Sequence, residues 1–150
     1  MKKTVLIPLI ATGALFGCQE ANQSQGKDTS AIEQKVQQPL WAGAYSGTTP
    51  CMGCHSRCEE CPGMAVDLVL NQDQTYELRR ESLSGHNEVE VLKGRLLFKN
   101  AEQTQLELLN VKSRNLIYVD LDHQMLEIRE DQTAQPYAAQ DDFLLELATA

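Results

Sequence analysis

The densest chemistry in this chain of 150 residues is the run Pro50-Cys-Met-Gly-Cys-His-Ser-Arg-Cys-Glu-Glu-Cys-Pro-Gly-Met64. Cys51, Cys54, Cys58 and Cys61 follow a C-x2-C-x3-C-x2-C pattern. Sulfurs this crowded admit several chemistries. In an oxidising compartment they close two disulfides, in any of three pairings, and pin the segment. When reduced they are soft donors. With the thioethers of Met52 and Met64 and the imidazole of His55 they form a set suited to Cu(I). Glu59 and Glu60 add negative charge that favours a cation, opposed only by Arg57, and oxidation of the thiols abolishes such binding. A thiol–disulfide oxidoreductase also uses C-x-x-C, but there the motif sits in a βαβ pattern that this chain lacks. Finally, Cys51-Met-Gly-Cys-His55 spells the attachment site of a c-type haem carrier, which further needs an apolar crevice and commonly a second axial ligand.

The fifth cysteine has a different setting. Lys2 and Lys3 precede the apolar run Thr4–Phe16, and Leu15-Phe16-Gly17-Cys18 follows the form of a bacterial lipobox, with Phe16 bulkier than usual. The run is short of the roughly 20 residues that span a bilayer and suits the core of a signal peptide. Residues 1–17 are therefore expected to be a cleaved lipoprotein signal, with acyl chains on Cys18 as the membrane anchor. One acyl chain binds only marginally, at about 0.8 kcal/mol per buried methylene, so several are needed for a firm tether. Gln19 stands where an Asp would mark inner-membrane retention in enteric-type bacteria. The expected location is the periplasmic side of the outer membrane, where a periplasmic thiol oxidase is the expected partner for disulfide formation.

Charge narrows the partners further. There are 13 Lys+Arg against 21 Asp+Glu, a formal net charge of −8. Loss of residues 1–17 leaves 11 basic against the same 21 acidic residues, or −10. Phosphate neutralisation needs basic surface, so no nucleic-acid partner is expected. With 42% apolar and 23% charged residues, the chain reads as a soluble folded body on a tether. Gln19–Pro39 holds six Gln and almost no large apolar residues; residues 18–39 are expected to be a lipidated terminus and flexible linker spanning roughly 25 Å. Ser30 and Glu33 could cap one short helix there, but Ile32 and Val36 are too few to dock it.

From Leu40 the hydrophobic period becomes two, and residues 40–150 read as the folded domain. Met64, Val66, Leu68 and Leu70 alternate with Ala65, Asp67 and Val69; Asn71–Gln74 supplies turn chemistry, and Thr75–Glu81 alternates again, a hairpin signal. Further strands are expected over Ala44–Thr48, Glu88–Leu92, Arg95–Phe98, Thr104–Leu109, Leu116–Leu121, Met125–Arg129 and Phe143–Leu147, about nine in all. Such a meander must bury one face, and closure removes its edges, so the expected fold is all-β, a small antiparallel barrel. The cysteine segment then falls on a loop at one end of that barrel. His86 and His123 read as exposed turn residues, and Tyr45, Tyr76, Tyr118 and Phe143 as packing. No nucleophile–base arrangement, phosphate loop or paired-carboxylate motif points to an enzyme.

Gly43-Ala-Tyr-Ser-Gly47, Thr49-Pro-Cys-Met-Gly-Cys54, Pro62-Gly-Met64, Leu70-Asn71, Gln74-Thr-Tyr-Glu-Leu78, Lys93-Gly-Arg95 and Leu106-Glu-Leu108 occur in order. This set resembles the N-terminal domain of the NlpE family, the CutF-type copper-resistance lipoproteins of the outer membrane. The likeness covers approximately Leu40 to Leu147 and adds to the lipobox. It implies a lipocalin-like β-barrel bearing a C-x-x-C, here Cys51 and Cys54, and a role in copper tolerance or in envelope-stress signalling through a periplasmic sensor-kinase domain. A lipocalin-like barrel also raises the alternative of a carrier for a small apolar ligand. The family usually has one C-x-x-C followed directly by Pro-Gly, whereas this chain inserts Cys58 and Cys61 as a second pair. Functions that rest on the OB-fold domain of larger members are not implied.

Overall fold

The computed structural model describes residues 37–85 and 88–149. The expected signal, Cys18, nearly all of the linker and His86 lie outside the described residues. Among the described residues there are eight strands. They are β1 (Gly43–Thr49), β2 (Met64–Leu70), β3 (Thr75–Ser82), β4 (Val89–Phe98), β5 (Gln105–Leu108), β6 (Leu116–Asp120), β7 (Met125–Ile128) and β8 (Leu144–Leu147). Each pairs antiparallel with the next, and β8 closes on β1 through Tyr45↔Leu147 and Ser46↔Glu146. The fold is a closed up-and-down barrel, as the alternation of the sequence requires.

That alternation is the cause of the closure. On β2, Val66, Leu68 and Leu70 point inward while Asp67 and Val69 are exposed. On β3, Tyr76, Leu78 and Arg80 share the inward face. The interior of eight strands is just wide enough for side chains to fill. Here Leu68, Leu106, Leu108, Leu126, Phe143 and Leu145 fill it, none more than 1% exposed. Burying each large apolar side chain contributes about 1.5–3 kcal/mol. Trp41, just before β1, joins the same core and packs edge-on against Phe98 at 5.1 Å.

Two expected strands prove to be one. Glu88–Leu92 and Arg95–Phe98 merge into β4, which runs straight through Lys93 and Gly94. Gly94 is there for space and not for a turn. A Cβ on it would sit 3.0 Å from the Tyr76 ring and hydroxyl and 3.2 Å from the Leu109 carbonyl, to which Tyr76 Oη donates at 2.6 Å. The last strand begins at Leu144, because Phe143 ends a single 3-10 turn, Gln140–Phe143.

The Asn71–Gln74 hairpin forms as its residues suggest. Gln74 adopts φ 62°, the left-handed conformation usually given to glycine. The Asp73 carboxylate accepts from the Thr75 hydroxyl at 2.6 Å and the Thr75 amide at 3.1 Å, which compensates locally and lowers the Asp73 pKa. Among the described residues no helix is long and apolar enough to cross a membrane.

Candidate functional site

Residues 50–63 connect β1 to β2 and lie at the barrel end shared by the β3–β4, β5–β6 and β7–β8 connections. The segment is two tight turns in series. In the first, the Cys54 amide donates to the Cys51 carbonyl at 2.9 Å, with Gly53 at φ 84° in the position where a type II turn needs a glycine. In the second, the Cys61 amide donates to the Cys58 carbonyl at 3.2 Å. Each C-x-x-C is therefore one turn, with its two cysteines at the turn's ends. The disulfide crosses between the turns, joining Cys51 to Cys61 and closing the base of the loop. Cys54 is left as a half-buried free thiol and Cys58 as an exposed one. The chain re-enters β2 through Gly63, at φ 89°, where a Cβ would lie 2.5 Å from the Thr49 carbonyl oxygen.

A buried arginine holds the first turn. Arg114 is 5% exposed. Its guanidinium donates to Thr49 Oγ1 at 3.2 Å and to the carbonyls of Pro50 at 2.7 Å, Cys51 at 2.8 Å and Cys54 at 3.0 Å. These contacts satisfy carbonyls that an irregular loop would otherwise bury without partners. Below it, the Phe143 ring lies 5.1 Å from the guanidinium carbon and stacks on Tyr137 at 3.8 Å. Burial lowers the Arg114 pKa, yet a guanidinium remains charged at any physiological pH. Arg114 has φ 55°, and its backbone is fixed in turn by Arg80 of β3. Arg80 is also 5% exposed and donates to the Ser113 carbonyl at 2.7 Å, the Arg114 carbonyl at 3.3 Å and Glu90 at 3.3 Å. A polar chain thus runs from the barrel wall to the cysteine loop.

The second turn is held from the rim. The Arg57 amide donates to Asp142 at 2.8 Å, and its guanidinium bonds the Thr48 carbonyl and faces Asp142 at 3.5 Å. Arg57 is thereby engaged with Asp142. Glu59 and Glu60 remain exposed.

The other sequence candidates divide around the loop. Cys51, Met52 and Met64 line one cleft of about 360 Å³ together with Arg80 and Glu90. Cys54 and His55 line another of about 280 Å³ with Arg114, Asp131 and Tyr137. Met52 is exposed, Met64 packs against the core from below, and His55 is exposed with its ring 5.8 Å from that of Tyr137. With Cys51 and Cys61 joined, the free soft donors are Cys54, Cys58, Met52 and His55. Among the described residues no three His, Cys, Asp or Glu side chains converge to hold a metal, so the oxidised loop does not fit a closed copper centre. The Cys51 sulfur is also bonded elsewhere, so the Cys51–His55 run does not present the paired thiols that haem attachment uses.

Arg114 and Arg80 escape sequence reasoning. Arginine is ordinarily a solvated surface residue, and no local pattern marks Arg114. The one faint signal is the inward parity of Arg80 behind Tyr76 and Leu78.

A closed eight-stranded antiparallel barrel with a four-cysteine connection at one end places the molecule in the class of small up-and-down β-barrel proteins. Comparison with known proteins makes the family specific. The NlpE N-terminal domain profile matches residues 45–140, well over half of the chain. The chain belongs to the NlpE N-terminal domain family. Its fold is also similar to a crystal structure from Shewanella oneidensis named "putative lipoprotein", with a TM-score of 0.59 and 19% identity. That match covers 73% of this chain and 91% of the other. No curated protein matches the chain.

Proposed function

We propose that this protein is a non-catalytic lipoprotein, anchored through acylated Cys18 on the periplasmic side of the outer membrane, whose cysteine loop reports oxidant or Cu(I) in copper tolerance or envelope-stress signalling. The observation that carries the reading is a disulfide with a free thiol one tight turn away from each of its sulfurs. The ends of such a turn lie within about 7 Å, near the span a disulfide bridges.

Exchange follows directly. Cys54 gives up its proton to water and its thiolate attacks the Cys51 sulfur. A Cys51–Cys54 bond forms, the Cys51–Cys61 bond breaks, and Cys61 leaves with the electron pair and takes a proton. Attack of Cys58 on Cys61 is the counterpart. The number of disulfides is unchanged, so neither step needs an oxidant. Oxidation of the remaining two thiols removes two electrons and is assigned to a periplasmic thiol oxidase. Either isomer opens the base of the loop, altering the surface offered to a partner such as a sensor-kinase periplasmic domain. Full reduction offers four thiolates, the donor type that Cu(I) prefers.

The test replaces Cys54 and Cys58 by serine together. The expected result is that Cys51–Cys61 persists by peptide mapping while the response of cells to copper and oxidant is lost. Unaltered copper tolerance and stress output at equal protein levels would remove the sensory role.

A further inference from the structure

Glu127 departs from the pattern of its strand. On β7, Leu126 and Ile128 are buried in the core, so Glu127 between them faces the outside of the barrel. It sits between Tyr118 on β6 and Leu144 on β8, yet its side chain is only 5% exposed. Two donors reach its carboxylate, and both serve the same oxygen: Arg129 Nη2 at 2.8 Å and Gln140 Nε2 at 2.9 Å bond Oε2. The Arg129 guanidinium carbon lies 4.7 Å from the centre of the Tyr118 ring. Oε1 is enclosed as well and has no hydrogen-bond partner among the described residues. A buried carboxylate oxygen without a donor is costly, so this arrangement is short of one donor.

Glu127 lines an open cleft of about 410 Å³, within the range of small-molecule sites. Tyr118, Met125 and Leu144 give the cleft apolar walls, and Asp120 and Asp141 add two more carboxylates. Three carboxylates thus meet the single guanidinium of Arg129, and the cleft stays negative even with His123 protonated. Among the described residues no three His, Cys, Asp or Glu side chains converge to hold a metal, so the spread of charge suits an extended cation. We infer that this cleft binds a short alkyl diamine as its diammonium ion. One ammonium displaces the carboxamide of Gln140, an exposed residue, and donates to both oxygens of Glu127, supplying what Oε1 lacks. An ammonium has three donors and no acceptor, so it meets no repulsion from carboxylate oxygens. The alkyl chain lies along Tyr118, Met125 and Leu144, and the second ammonium meets the more exposed Asp120 and Asp141.

Calorimetric titration of the full chain in detergent with putrescine tests this, against butylamine and magnesium chloride at equal ionic strength. Putrescine is expected to bind one to one with a Kd of about 100 µM, and butylamine at least about tenfold more weakly. Glu127→Gln removes the charged acceptor and should weaken putrescine at least about tenfold. Where that variant folds poorly because Arg129 loses its partner, Gln140→Ala decides. It leaves the charge and the core unchanged, and freeing the carboxylate should tighten binding at least about threefold. No saturable binding below about 10 mM overturns the proposal, as does butylamine binding as tightly as putrescine. Displacement of putrescine by an equal concentration of magnesium, or Gln140→Ala leaving the affinity unchanged or weaker, also overturns it, since either marks attraction to acidic surface alone.

Discussion

The barrel wall and the cysteine loop hold together by opposite means. The wall depends on apolar burial: β1, β2 and β3 pair over full seven-residue registers above a core of Leu, Ile, Val and aromatic side chains. Of the loop at residues 50–63, only Pro50, where the chain leaves β1, is an apolar side chain that is fully buried. Arg114, Arg57, two turns and one disulfide hold it instead. Polar contacts of this kind can be rearranged without opening a core, whereas packed leucines cannot. The thiol exchange proposed for the loop therefore needs no opening of the barrel.

Phe143 is where the two regions touch, so its loss is the strongest way to break the distinction. Phe143→Ala is expected to destabilise the protein by about 4 kcal/mol in urea unfolding, through the cavity it leaves. It should also speed alkylation of Cys54, because the platform beneath Arg114 is gone. A large loss of stability with unchanged thiol reactivity would show that the loop does not depend on this contact.

Arg114→Met isolates the polar side. The barrel should lose about 2–3 kcal/mol, since buried carbonyls are left without a donor. The signature of this variant is local: amide exchange should rise over residues 50–54 and remain near wild type in β2 and β3. Exchange rising evenly through the barrel would mean that Arg114 supports the wall itself.

Removing the disulfide sharpens the contrast further. Cys51→Ser with Cys61→Ser opens a short loop, and a drop of about 2 kcal/mol is expected from the freed unfolded chain, with the circular dichroism of the sheet unchanged. In the unaltered protein, Cys58 should react with iodoacetamide before Cys54, following their exposed and half-buried positions. The opposite order, read by peptide mass, would place the loop differently from the arrangement described.

The smallest effect belongs to the far end of the wall, where His123 Nδ1 lies 2.9 Å from Asp120 in an exposed turn. The Asp120 carboxylate raises the His123 pKa above its ordinary 6.5, and hydrogen bonds from His123 lower that of Asp120 below 3.8. The His123 contribution is complete below 6.5 and fades as pH rises through its raised value. The Asp120 contribution is complete above 3.8 and fades as pH falls through its lowered one. His123→Ala should shift the melting temperature by no more than about 1 °C, consistent with an exposed pair. An imidazole NMR titration should place the His123 midpoint above 6.5 and Asp120→Asn should return it.

Much of the wall was legible beforehand because a half-buried strand writes its own orientation into alternate residues. Val66, Leu68 and Leu70 announce an inward face, and the polar stretch at 71–74 announces the turn. The error at Lys93-Gly94 has an equally simple origin: a glycine that ends a strand and a glycine that makes room for Tyr76 look alike in one dimension. The site was legible only in its sulfurs. Nothing local distinguishes Cys51 pairing with Cys54 from Cys51 pairing with Cys61, since both partners are near in sequence.

By itself, the order of residues determined an all-β meander, the clustering of Cys51, Cys54, Cys58 and Cys61 on one connection, and a net acidic chain. Those properties depend on period, composition and neighbours along the chain. Tertiary structure alone decided which cysteines are joined, that Arg114 lies buried beneath them, and that β4 runs on through Gly94 beside Tyr76. The place of Arg114 depends on residues 63 positions apart meeting in space, as it and Cys51 do, and only the folded barrel brings them together.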